Sequence, residues 1–262
     1  MRVKQEKIDR IKEIQLEMLK EVDAFCRKND IKYCLAYGTL LGAIRHNGYI
    51  PWDDDVDIWM PREDYEIFLM TFQSLDNTIC NIGNTEGYPF YMSKIINKRT
   101  RLVEDGVKHL KFNYGVYIDV FILDVLPKNK IIQECKLAYN YLLYSEIRIK
   151  FSASNNFIFK MLGKIINPIK IEQRQKNIWK KSKGNLYKDD DTLYFFNKNK
   201  RNRMNKFDKI IFDELVDHKF ENLVCKIPKQ YEKLLTQCYG DYMEMPPIEQ
   251  RQTHEFIEFE EI

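Results

Sequence analysis

The chain reads as α/β or α+β, built on a mixed sheet, and two observations carry that reading. Helix and strand patterns alternate twice and then give way to a cluster of strand-like segments. Among them, Asp53-Asp54-Asp55-Val56-Asp57-Ile58-Trp59-Met60 passes from carboxylates into an apolar frame with a period of two. No internal repeat or low-complexity tract suggests a solenoid or a linker.

Ile8, Ile11, Met18, Val22 and Phe25 recur at helical spacing between charges, which predicts a helix over residues 8–28 closing near Asn29. Residues 31–37 then read as a buried strand ending at Gly38, with Thr39 as the cap of a short helix over 40–45. Gly48 and Pro51 punctuate the return to the acidic strand, 56–60, and Pro61 suits the first turn of a helix over 62–72. Strand-like pieces follow at 78–82, 90–96 and 116–121, with a turn at 84–87. From Lys130 the pattern is mostly helical to about Lys183, broken at Pro168. Residues 195–203 read as a basic loop, 193–196 and 210–212 as short strands, and 229–238 as a last helix ending at Gly240. Residues 1–127 are thus expected to form a catalytic core, and 128–262 a mostly helical part completing the same unit.

With 262 residues, 44% hydrophobic and 31% charged, the chain can bury a sizeable core. No apolar run reaches the roughly 20 residues of a membrane span, and MRVKQEKIDR lacks the apolar centre of a secretion signal. A cytoplasmic protein is expected. Six cysteines without Cys-x-x-Cys spacing read as reduced thiols, not as a zinc site. A net charge of +3 gives no reason to expect nucleic acid as a partner, although the stretch 128–203 is rich in lysine.

On a strand, Asp55 and Asp57 leave the same face while Val56 and Ile58 enter the core. Two carboxylates fixed side by side make a hard oxygen site suited to Mg²⁺ beside phosphate. A solvated acidic loop is the plain alternative, but the Val-Asp-Ile-Trp-Met frame speaks against it. A calcium loop would need glycine where Ile58 stands and glutamate where Asp64 stands. Asp119, inside the apolar run 116–121, is the candidate third ligand; a structural ion pair is its bland reading. Asp124 reads as a turn residue or helix cap, and Asp53 and Asp54 as loop residues behind the site. Gly38 and Thr39 form a small-residue turn whose backbone N–H groups can approach phosphate. Arg45, His46, Lys94 and Arg99 are candidate phosphate ligands; His46 reads first as a structural hydrogen bonder and second as a general base.

The segment 35–60, LAYGTLLGAIRHNGYIPWDDDVDIWM, resembles the LicD family of phosphotransferases, whose relatives include fukutin-related proteins. FYMSKI (90–95), GVYIDVF (115–121) and YGDY (239–242), followed by Pro246, Pro247, Arg251 and His254, fit the same family in order. The resemblance implies an α+β nucleotidyltransferase (polymerase-β-like) mixed sheet flanked by helices, with a helical C-terminal part. It implies that Asp55, Asp57 and Asp119 hold Mg²⁺, that the Gly38-Thr39 turn holds donor phosphates, and that Arg251 and His254 belong to the substrate site. It further implies a CDP-activated small-molecule donor, first of all CDP-choline. The acceptor would be a sugar hydroxyl of a glycan such as lipopolysaccharide, capsule or a teichoic acid precursor, lipid-linked or free. CDP-ribitol, CDP-glycerol or a phosphoethanolamine donor are alternatives, as is nucleotidyl transfer from an NTP. Trp52, Trp59 or tyrosines could cage a quaternary ammonium. The apolar, lysine-dotted run 157–166 reads first as an amphipathic core helix; the alternative is peripheral contact with the inner membrane face.

Overall fold

The computed structural model describes residues 5–105, 108–109, 112, 114–126, 129–151, 157–167, 170, 173–174, 192–195, 205–251 and 256–262. Helix α1 (Gln5–Lys28) buries Ile11, Ile14, Gln15, Met18, Leu19 and Val22 against the sheet. Strand β1 is only Cys34–Leu35 and runs antiparallel to β2 (Asp57–Pro61). Helix α2 (Tyr37–His46) lies between them and stops at Asn47 in the left-handed conformation. Helix α3 (Arg62–Thr71) starts directly from β2, and β3 (Asn77–Cys80), β4 (Ser93–Asn97), β5 (Thr100–Glu104) and β6 (Tyr117–Leu126) follow.

The main sheet has the order β1-β2-β6-β4-β3, in which β2 and β6 are parallel and the other neighbours antiparallel. A parallel pair needs a crossover, and the stretch from α3 through β5 supplies it. The sheet is central: Ile58, Met60, Ile95, Ile118 and Val120 are fully buried. Only side chains that find partners can be polar here.

The C-terminal part departs from the mostly helical expectation. Helices α4 (Lys130–Lys150), α5 (Phe157–Ile165) and α6 (Tyr231–Tyr239) are interleaved with β7 (Thr192–Phe195), β8 (Asn205–Asp208), β9 (Leu215–Phe220), β10 (Leu223–Pro228) and β11 (Phe256–Glu261). Strand β7 extends the main sheet from the far half of β6, and β11 pairs with β5. The β9–β10 hairpin turns through Glu221 at φ 54° without an Asn-Gly or Asp-Gly signal, so its sequence gave little sign of it.

Smaller differences have local causes. The strand expected over 31–37 contracts to two residues because its flanks bond elsewhere. The Lys32 N–H donates to Asp64 (2.7 Å) and the Tyr33 hydroxyl to Asp23 (2.5 Å). Thr39 does not cap α2, which begins at Tyr37; its hydroxyl accepts the Asp57 N–H (2.8 Å) instead. Residues 210–212 belong to a 3₁₀ turn, Lys209–Phe212, because the Asp208 side chain accepts from the Ile210 N–H (3.2 Å). Of the loop expected over 195–203, Phe195 ends β7, and the remainder, like the helix from 175 to 183, lies outside the described residues. On helix α5 Gly163 is buried against the end of α4, while Ile158, Met161, Leu162 and Ile165 are exposed.

Asp124 is neither turn nor cap. It sits on β6 and receives both Nε and Nη2 of Arg62 (3.0 and 2.8 Å), which ties α3 to the sheet. Burial alone would raise its pKa, but the Arg62 charge and hydrogen bonds outweigh this and hold the carboxyl below its ordinary range. The stability so gained is present above the ordinary aspartate pKa and is lost as pH falls through the lowered one. Arg62→Ala, which strands Asp124, is expected to cost about 3 kcal/mol in urea unfolding, whereas Arg62→Met with Asp124→Leu should recover most of that.

Candidate active site

Three neighbouring strands place charged residues in one row. Asp57 on β2 stands opposite Asp119 on β6, and Asp119 stands opposite Lys94 on β4. The Asp119 N–H donates to the Val56 carbonyl (2.8 Å), which carries the pairing back to the residue between Asp55 and Asp57. Strand alternation then brings Asp55 to the same side, and single carboxylate oxygens of Asp55, Asp57 and Asp119 lie within 4.8 Å of one another. The donor set is all hard oxygen, spaced closely enough to grip one cation between them, which fits Mg²⁺ or Mn²⁺. Asp57 and Asp119 are buried, and Asp55 is half-buried at the open side.

Burial pushes the Asp57 carboxyl well above the usual carboxylate range, and the charges of Asp55 and Asp119 push it further. Asp119 is raised by burial too, while its contact with Lys94 pulls the other way. The Lys94 ammonium is 2.6 Å from Asp119 Oδ1 and 3% exposed, over the rings of Tyr117 (3.3 Å to the centroid) and Phe90 (4.7 Å). Lys94, expected to meet phosphate, is therefore engaged with the carboxylate row.

The surroundings fix these groups. Thr39, 2% exposed, anchors Asp57 through its backbone, and the Ala36 N–H bonds the Asp57 carbonyl (2.9 Å). The Thr39 hydroxyl thus serves as an acceptor within the protein. A Cβ on Gly38 would meet Asp53 Oδ2 at 2.6 Å, so glycine is what lets the acidic loop lie against the start of α2. Tyr37, the residue before it, takes a left-handed φ of 39° and packs its ring on Trp59 and Phe121. Gln15, a residue the sequence reading did not single out, is 1% exposed and donates to the carbonyls of Asp54 (3.1 Å) and Tyr117 (3.4 Å). The signal was present: an amide on the apolar stripe of α1.

The cationic candidates divide. Arg45 donates to the carbonyls of Tyr242 (2.9 Å) and Glu244 (3.2 Å), and its Nε to His46 Nε2 (3.0 Å). His46 therefore acts as a hydrogen-bond acceptor here; burial and the Arg45 charge lower its pKa and keep it neutral at pH 7. Arg251 lies over the Trp52 ring (4.3 Å to the centroid) and donates to the Pro246 carbonyl (3.2 Å). Arg99 pairs with Asp76 at the surface (2.5 Å). His254 lies outside the described residues. Trp59 is 1% exposed in the core between Tyr37, Phe207 and Phe212.

Because its pKa is raised on folding, Asp57 contributes fully to stability below the ordinary aspartate pKa and costs stability as pH climbs toward the raised value. Metal-free Asp57→Asn protein is expected to unfold at higher urea than the parent at pH 7. The gap should shrink as pH falls to about 4; an equal midpoint at both pH values would contradict the assignment.

Residues 30–122 match the family described as LicD/FKTN/FKRP, nucleotidyltransferase domain. The lipopolysaccharide cholinephosphotransferase LicD of Haemophilus influenzae is 29% identical over 266 aligned residues, covering 95% of this chain and 97% of that protein. An uncharacterized Rickettsia prowazekii protein is 33% identical over 52% of this chain and 46% of its own length. An uncharacterized Rickettsia typhi protein is 46% identical over 24% of this chain and 20% of its own length. The block that carries the Gly-Thr turn and the acidic strand lies inside the matched domain, and the similarity to the Haemophilus protein runs nearly end to end. The chain is thus similar over residues 30–122 to the LicD/FKTN/FKRP nucleotidyltransferase domain, and over nearly its whole length to a LicD cholinephosphotransferase.

Proposed function

We propose that the protein transfers phosphocholine from CDP-choline to a sugar hydroxyl of a cell-surface glycan, of the lipopolysaccharide or teichoic acid kind, and releases CMP. The observation that supports this most is the buried row of Asp57, Asp119 and Lys94, with Asp55 beside it, in a chain aligned over 95% of its length with a cholinephosphotransferase. We read the sheet as a nucleotidyltransferase type, with residues 128–262 completing the unit.

Asp55, Asp57 and Asp119 would hold Mg²⁺, which supplies positive charge against the donor diphosphate and the departing CMP. Asp57 and Asp119 are held to the sheet by the Thr39 hydroxyl and the Lys94 ammonium, so the site is organised before the donor arrives. The acceptor oxygen forms a bond to the phosphorus bearing choline, while the bond from that phosphorus to the bridging diphosphate oxygen breaks. The electron pair leaves with CMP. The hydroxyl proton passes to a carboxylate, for which Asp55, the least buried of the three, is best placed.

One observation favours a polyol donor such as CDP-ribitol or CDP-glycerol instead: Trp59 is enclosed by the core, and Arg251 already covers one face of Trp52. Incubating the protein with Mg²⁺, a glycan acceptor and each CDP-alcohol in turn separates the readings. CMP from CDP-choline alone, abolished by EDTA, is the expected outcome; CMP from a polyol donor alone would reassign the donor, and pyrophosphate from an NTP would overturn both. Thr39→Val leaves the Asp57 N–H without its acceptor. It is expected to lower turnover about 10–100-fold with the fold retained, measured as CMP release beside a circular dichroism melt.

A further inference from the structure

One member of the carboxylate row stands outside the sheet. The parallel ladder of β2 and β6 opens with Asp57 opposite Asp119, and Asp55 precedes the first residue of β2. The position of its carboxylate therefore depends on what holds the loop backbone. On one side the Val56 carbonyl accepts the Asp119 N–H (2.8 Å). On the other the Asp54 carbonyl accepts Gln15 Nε2 from helix α1 (3.1 Å). The same Nε2 reaches the Tyr117 carbonyl at the start of β6 (3.4 Å). One amide, 1% exposed, thus spans the acidic loop and the strand of Asp119 at the point where the ladder gives out. The amide is itself aimed. The Tyr49 hydroxyl donates to Gln15 Oε1 (3.0 Å), which turns the NH₂ end toward the two carbonyls. Tyr49 in turn packs on Phe220 of the β9–β10 hairpin (5.1 Å between ring centroids), and its N–H donates to Glu221 (2.9 Å).

We propose that Gln15, aimed by Tyr49, is a positioning residue for the cation site and fixes Asp55 relative to Asp119 against the mutual repulsion of the carboxylates. The inference rests on the reading of Asp55, Asp57 and Asp119 as a cation site, and it gives helix α1 a part in that site. An amide suits the task, because its two N–H donors leave one planar group in fixed directions and can hold two carbonyls at a set separation. Groups that orient metal ligands from behind commonly change metal affinity 10–100-fold when removed. If the amide only satisfied two buried carbonyls, its loss would lower stability and leave cation binding as it was.

The test is Mn²⁺ binding by the full chain, read by electron paramagnetic resonance beside urea unfolding. Gln15→Met keeps the length of the side chain and removes its N–H donors, and should weaken Mn²⁺ binding about ten-fold or more. Tyr49→Phe keeps the ring and releases the amide, and should weaken binding in the same direction by a smaller factor. It carries the test if Gln15→Met does not fold. As a control, Tyr33→Phe removes the hydroxyl bonded to Asp23 (2.5 Å) further along α1. It should lower the urea midpoint and bind Mn²⁺ as the parent does. Folded Gln15→Met or Tyr49→Phe protein with the parent's Mn²⁺ affinity would overturn the inference and leave the cation site standing. An equal loss of Mn²⁺ binding in Tyr33→Phe would also overturn it, since any weakening of α1 would then suffice. A parent that binds no Mn²⁺ would overturn the cation site and the inference together.

Discussion

Three carboxylates gathered on the inner end of a sheet repel one another, and the described structure is arranged around containing that repulsion. Lys94, placed across from Asp119 by strand register, supplies a fixed positive charge within 2.6 Å. It cannot neutralise three negative charges by itself. Burial first, and the remaining negative charge second, raise Asp57, so the row is held at a cost in stability.

The scaffold also holds the backbone of the site by hydrogen bonds. Thr39 holds the Asp57 N–H and Gln15 holds the carbonyls of Asp54 and Tyr117, so the acidic loop, β2 and β6 cannot drift apart. The later chain closes the same region from outside. The Glu221 N–H bonds the Asn47 carbonyl (2.8 Å) and its carboxylate receives the Tyr49 N–H (2.9 Å), which props the loop between α2 and β2. Arg45 reaches across to the carbonyls of residues 242 and 244. Arginine suits this task, since its forked donors can serve two carbonyls at once.

What the sequence disclosed was local. The alternation of Asp55, Val56, Asp57 and Ile58 fixed which side each residue faces, and the apolar frame around Asp119 marked it as a residue with a partner. The helices α1 and α3 were legible for the same reason, their apolar spacing. Contacts made across long sequence separations were not legible. Nothing near Thr39 reveals that its hydroxyl turns from α2 to the Asp57 backbone, and nothing near Lys94 reveals that register sets it against Asp119. The β9–β10 hairpin and β11 were missed because their pairing rests on tertiary context rather than turn chemistry.

Titration of the full chain with Mn²⁺, followed by electron paramagnetic resonance, decides whether the carboxylate row is a cation site. The parent should bind Mn²⁺ in competition with Mg²⁺, and Asp119→Asn should weaken that binding about ten-fold or more while keeping the circular dichroism of the parent. Equal Mn²⁺ affinity in the two proteins would mean that the row of Asp55, Asp57 and Asp119 is a structural charge cluster and that the chemistry lies elsewhere.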